Sequence, residues 1–148
     1  MNWVHLHLAL NHVPVLGSLF VLILLVVGLV KRSDELKRTS LWCFFLLVLI
    51  SIPIKFTGDF AYEKTSAETW MSTPIAETHE QSADQATTGV FLLGIAAALG
   101  LFRGRRKRTI PTWVYATTLI LALATFVLMA RTANLGGQIR HTEIRAAE

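Results

Sequence analysis

The sequence predicts an all-α integral membrane protein: a four-helix bundle with a short helical cap outside the bilayer. Three observations lead there. Only 16% of the 148 residues are charged and 53% are apolar, against roughly 25% charged in a soluble domain. The apolar residues fall in four blocks near the length needed to cross a bilayer. The connections between the blocks are short and basic at one end, longer and acidic at the other.

The first block, Val13 to Val30, contains no charged residue. With His12 as its start it predicts a span over about 12–30, close to the roughly 20 apolar residues a bilayer requires. Asn11-His12-Val13-Pro14 joins a capping residue to a proline three positions on, and proline is tolerated in a first helical turn. This leaves two readings: residues 1–10 form a separate interfacial helix or turn, or the helix runs from Trp3 with a proline kink. No basic n-region precedes the block and Lys31-Arg32 follow it, which is the wrong arrangement for a cleaved signal peptide.

The second block, Leu41 to Ile54, predicts a span over about 39–56 ending near Pro53 and Lys55. Gly58 suits a helix C-cap and Asp59 an N-cap for a new helix. Residues 60–72 mix aromatic and charged positions, so a short amphipathic helix is expected there, within an outer cap of about 59–86. Thr73-Pro74 restarts a helix, with Thr73 as cap and Pro74 at its first position. That helix is polar at first and apolar from Thr87 to Phe102, giving a third span over about 86–102. His79, Ser82, Ala86, Gly89 and Leu93 lie along one of its stripes, a face for another helix or a flat cofactor. The fourth block, Ile110 to Ala130, predicts a span over about 110–131, and Asn134-Leu135-Gly136-Gly137 reads as its stop.

Nine of the 14 Lys and Arg residues lie in two short loops, 31–38 and 103–108, whereas eight of the 10 acids lie elsewhere. Short basic loops face the cytoplasm. Both termini and the 57–86 connection are therefore expected outside. The basic loops abut two spans, so anionic lipid headgroups are their natural partner and nucleic acid is not expected. No Asp, Glu, Lys or Arg lies between the interfaces, which argues against an ion pathway. The lone Cys43, in an apolar block, reads as a small core hydrophobe rather than a reactive thiol. No spacing of Ser or Thr singles out a hydrolytic nucleophile with its base.

By this topology all five histidines share the outer side: His5, His7 and His12 before the first span, His79 before the third and His141 after the fourth. On a continuous helix His5 and His12 would share a face and His7 would point away. Imidazoles at one level of a bundle suit a haem, another metal or a proton site. Their plain alternative is interfacial histidines that bond helix ends or headgroups and titrate near neutral pH.

The pattern His7-x4-His12-Val13-Pro14 before an apolar span resembles the opening of the DUF2231-type bacterial membrane proteins, with Val13 in place of their phenylalanine. Thr57-Gly58-Asp59-x-Ala61 and Ile75-x3-His79-Glu80-x2-Ala83 are similar to that family as well. The resemblance covers most of the chain. It implies the four-span architecture and makes His7, His12 and His79 part of a pattern. His141, in a Gly-Gly-Gln-Ile-Arg-His tail, resembles a subgroup, and His5 matches nothing.

The leading functional expectation is a small redox subunit of the bacterial plasma membrane. It would carry a b-type haem near the outer face and pass electrons between quinol and a redox partner. His12 and His79 would be the axial ligands of the iron, because two imidazoles from facing helices can hold it. His7 and His141 would orient or tune them, and Ser82, Gly89 and Gly17 would leave room. The acidic outer face would steer a basic carrier protein. A copper or zinc site using His7, His12, His79 and His141 with Glu80 or Asp84 is a second option. The third is a non-catalytic accessory or assembly subunit of a larger membrane complex.

Overall fold

The computed structural model describes residues 2–105 and 109–145. It contains five α-helices: α1 (Trp3–Leu10), α2 (His12–Val30), α3 (Asp34–Thr65), α4 (Thr73–Arg103) and α5 (Thr112–Arg140). A 3-10 turn, Thr142–Ile144, comes after them. No strand occurs among the described residues. Four helices are long and apolar enough to cross a membrane, α1 and α2 counting together as one of them. This is the all-α four-helix bundle that the apolar blocks predict.

Short connections make the four spanning helices successively antiparallel. α2 packs on α3 and α5, and α4 packs on α3 and most extensively on α5, so α2 and α4 stand diagonally across the bundle. α1 lies mainly against α3. The interior runs from Leu25, Leu41, Phe44 and Leu47 through Leu93 and Ala97 to Val114, Tyr115 and Ala122. The apolar residues on the opposite faces, among them Phe20, Ile23, Leu49, Ile95, Ile120 and Val127, are exposed. That is the pattern of a bundle whose solvent is lipid rather than water.

α1 and α2 are separated by Asn11 alone, whose N–H still donates to the His7 carbonyl at 2.8 Å, so the path from Trp3 to Val30 is nearly continuous. Asn11 has helical backbone angles and makes no side-chain cap. Its buried Oδ1 has no partner among the described residues. Pro14 is buried one turn on. α3 begins properly capped, with Ser33 Oγ accepting from the Leu36 N–H. α4 starts one residue earlier than expected, with Ser72 at the cap and Pro74 in the first turn.

Two expectations are corrected. α3 does not stop near Pro53 or at Gly58 but continues to Thr65, and residues 66–72 form turns, so no separate amphipathic helix spans 60–72. Breaking a helix near the bilayer strands backbone donors and acceptors, a cost of several kcal/mol per group that favours carrying the helix through a proline. α5 likewise runs through Gly136 and Gly137 to Arg140. None of the described glycines has a positive φ, so none serves as a left-handed helix stop.

Glycines permit close helix approach in the interior. A Cβ at Gly94 would strike Val48 Cγ2, and one at Gly100 would lie 2.7 Å from Val114 Cγ1. Valine has a stiff χ1 and cannot swing clear. Gly94→Val should therefore destabilise the α3–α4 contact by about 1–3 kcal/mol, the range for overpacked cores. Thermal unfolding in detergent would read this as a clear drop in midpoint, with lipid-facing Ile95→Val unchanged as control.

Candidate functional site

At the end of the bundle opposite the basic loops, the two glycines expected to be helix stops have another role. Gly58 of α3 lies under the His7 imidazole: a Cβ there would be 3.1 Å from His7 Cε1. Gly136 of α5 lies under the His79 imidazole, where a Cβ would be 3.0 Å from His79 Cε1. Each glycine thus seats one ring against a neighbouring helix. Larger side chains would push the rings away.

Hydrogen bonds then fix which ring nitrogen is free. His7 Nδ1 lies 3.2 Å from Thr57 Oγ1. Thr57 donates its own hydroxyl proton to the Ile54 carbonyl at 2.8 Å, so its oxygen is left to accept. His7 must then carry its proton on Nδ1. His79 Nδ1 lies 3.0 Å from the Thr132 carbonyl, which can only accept. His79 is protonated on Nδ1 as well. In both rings Nε2 keeps its lone pair, with no protein partner among the described residues. Imidazoles anchored through one nitrogen and open at the other are the usual form of a metal-ligating histidine.

The anchors are themselves held. Thr132 donates to the Leu128 carbonyl at 2.9 Å, so Ser82, 2.8 Å from Thr132 Oγ1, is the donor in that pair. Ser82 therefore ties α4 to α5 beside His79 rather than leaving space. Gly17 and Gly89 are filled too: Leu47 covers the first and Thr125 the second. Lys55 joins the helices that carry Thr57 and His79, its Nζ lying 2.6 Å from Asp84 and 3.7 Å from Asp59. Trp3 stacks on Phe60 with ring centroids 4.8 Å apart and docks the start of α1 on α3.

Of the residues singled out by sequence, His7 and His79 are the two whose rings are half-buried and bonded to neighbouring helices at this end of the bundle. His12 stands apart, exposed at the start of α2. His141 is exposed beyond α5, its Nδ1 2.8 Å from Glu143 Oε1. His5 is exposed, and only its backbone N–H is engaged, by Asn2. Among the described residues no three His, Cys, Asp or Glu side chains converge as a metal-ligand group, so the four-histidine set with Glu80 or Asp84 is not assembled. Sequence reasoning missed Thr57 and Thr132 as ring anchors. Thr57 belongs to the Thr57-Gly58-Asp59 motif, whereas nothing local marks Thr132.

This arrangement can be set beside known proteins. A family model described as "Predicted membrane protein (DUF2231)" matches residues 4–143. The chain belongs to the DUF2231 family. Neither the curated proteins nor the solved structures contain a match to it. With four apolar helices, this DUF2231 chain is a multi-pass membrane protein.

Burial pushes the His79 imidazole below its ordinary value of 6.5, and the nearby Lys55 charge acts the same way. The bond to the Thr132 carbonyl and the Glu80 carboxylate oppose it but do not win. A histidine neutral when folded binds its proton more readily when unfolded, so stability rises with pH across this window. His79 should therefore weaken the fold as pH falls from 6.5 toward its folded value. Unfolding midpoints between pH 8 and pH 5 should decline, and less steeply in His79→Gln. Identical slopes in the two proteins would show that His79 does not titrate in this window.

Proposed function

We propose that this DUF2231 protein is a small electron-transfer subunit whose His7 and His79 imidazoles would hold a b-type haem. The observation that carries the reading is the pair of half-buried rings on α1 and α4, each anchored through Nδ1 and open at Nε2. The donor set fits the group, because haem iron takes neutral imidazole nitrogens and two histidines suffice. The glycine seats fit as well, letting each ring lie flat on a neighbouring helix. The expected pair of His12 and His79 gives way to His7 and His79, since His12 is exposed and unanchored. His141 is left as a peripheral group on the same end.

When bound, the haem supplies one-electron chemistry. The chain's part is to orient and to tune. Thr57 and Thr132 hold the tautomers, burial keeps His79 neutral at pH 7, and the Lys55–Asp84 pair clamps α3 to α4 beneath the site. In this reading the histidine end faces outward from a bacterial plasma membrane, with the termini on that side and the basic loops in the cytoplasm. Quinol in the bilayer is the electron donor that fits. Glu63, Glu68, Glu77 and Glu80 are exposed at the histidine end, and a basic carrier protein suits them as the next partner.

The test is a visible spectrum of detergent-purified protein from haem-sufficient cells, oxidised and then dithionite-reduced. A Soret band with sharpened reduced α and β bands is expected. His7→Ala and His79→Ala should each lose most of the haem, with His12→Ala and His141→Ala retaining it. A spectrum without haem bands, from folded protein, would rule the redox reading out and leave the accessory-subunit reading in its place.

A further inference from the structure

We propose that the basic end of the bundle holds an anionic phospholipid by its phosphate, at the end of α4 where Arg38 bonds Gly104 between Arg103 and Arg105. This inference is independent of the haem reading and uses the opposite end of the molecule.

The two basic loops are bound to each other. Arg38, near the start of α3, donates from one terminal nitrogen to the Gly104 carbonyl at 3.0 Å. Gly104 comes directly after the last turn of α4, and a Cβ there would meet Ile110 and the Arg38 guanidinium. The contact thus brings cations from two helices to one corner. A guanidinium has five N–H donors, so Arg38 keeps most of its capacity after that bond.

Arg103 and Arg105 are held on aromatic faces. The Arg103 guanidinium lies 5.6 Å from the Trp113 ring centroid, and that of Arg105 lies 5.0 Å from Phe102. Trp113 is 55% exposed and Phe102 64%, so both rings project from the bundle where a bilayer would meet water. Aromatic rings at that level sit among headgroups. A guanidinium stacked on such a ring is pre-oriented, with its N–H edge free for two oxygens of a phosphate.

Among the described residues no carboxylate pairs with Arg38, Arg103 or Arg105. Asp34 is engaged by Lys37 at 2.7 Å, and Lys37 also lies over the Tyr115 ring. Lys31 and Arg32 add exposed positive charge nearby in sequence. An oxyanion attached to acyl chains fits this placement better than a free one, because the aromatic faces beside the guanidinium groups offer apolar surface to the chains.

The experiment uses the full chain in nanodiscs of phosphatidylcholine, to which phosphatidylglycerol or inorganic phosphate is added, with bound lipid counted by native mass spectrometry. Phosphatidylglycerol should be retained over phosphatidylcholine. Arg103→Gln with Arg105→Gln should weaken that retention about 30-fold, two arginines at the usual strength of attraction to an anionic surface. Thermal unfolding in pure phosphatidylcholine should be unchanged by the double substitution, which shows that the fold survives. Equal retention of the two lipids, or undiminished retention by the variant, would overturn the proposal. Displacement of phosphatidylglycerol by millimolar inorganic phosphate would assign the corner to a free anion and overturn the lipid assignment.

Discussion

Inside a bilayer a backbone N–H or C=O finds no water, and every helix in this protein is shaped by that requirement. It keeps α3 continuous for 32 residues across a proline and a glycine. It also governs the hydroxyls. Ser18, Ser40, Ser51, Thr57, Thr118 and Thr132 each donate to a carbonyl three or four residues earlier in their own helix. These six side chains are thereby satisfied within their own helices. Their oxygens nevertheless keep an accepting lone pair, and at Thr57 that lone pair receives a histidine. The Thr132 oxygen receives Ser82 in the same way, while the Thr132 backbone carbonyl takes His79. The site at the histidine end is built from acceptors left over after the helices have met their own needs.

Glycine serves distinct purposes along the same helices. Gly94 and Gly100 admit Val48 and Val114 from facing helices and set how closely the bundle packs. Gly58 and Gly136 admit imidazoles. The cost of glycine in a helix interior is about 1 kcal/mol relative to alanine, and here it accompanies a ring held flat against a helix. For Gly94 and Gly100, inside the third span, the alternative to the helical hydrogen bond is no bond at all, and the helix persists.

Fold class, the number of spans and the separation of basic loops from histidines were legible in the sequence, because hydropathy and charge depend directly on residue type. The ends of α3 and α5 were not. Pro53, Gly58 and Gly136-Gly137 carry strong stop signals in aqueous peptides, and composition alone does not report that the surroundings suppress them. The histidines were recognised as a group, but which rings are anchored to neighbouring helices was not recoverable. His12 is preferred if the chain is taken as helical from that residue, whereas the docking of α1 on α3 turns His7 toward Thr57. That docking depends on Trp3 meeting Phe60, a contact between residues 57 positions apart with no local signature. Thr132 was invisible for the same reason: its role exists only once α4 and α5 pack.

The two ring-bearing helices differ in how firmly they are held, and the difference bears on what the site can do. α4 contributes nine buried residues to the bundle, whereas α1 contributes none. His79 is therefore carried by the interior, with Ser82 and Thr132 bonded beside it. His7 rides on an eight-residue helix joined to the rest by the Trp3–Phe60 stack, the Thr57 contact and the turn at Asn11. The rest of α1 packs on α3 with Trp3, Val4, Leu6 and Leu10 partly buried. A ligand that engages both open Nε2 atoms would add its binding free energy to the docked state alone, by ordinary linkage. The asymmetry gives the pair a fixed half and an adjustable half, with the adjustable half at the exposed edge of the bundle.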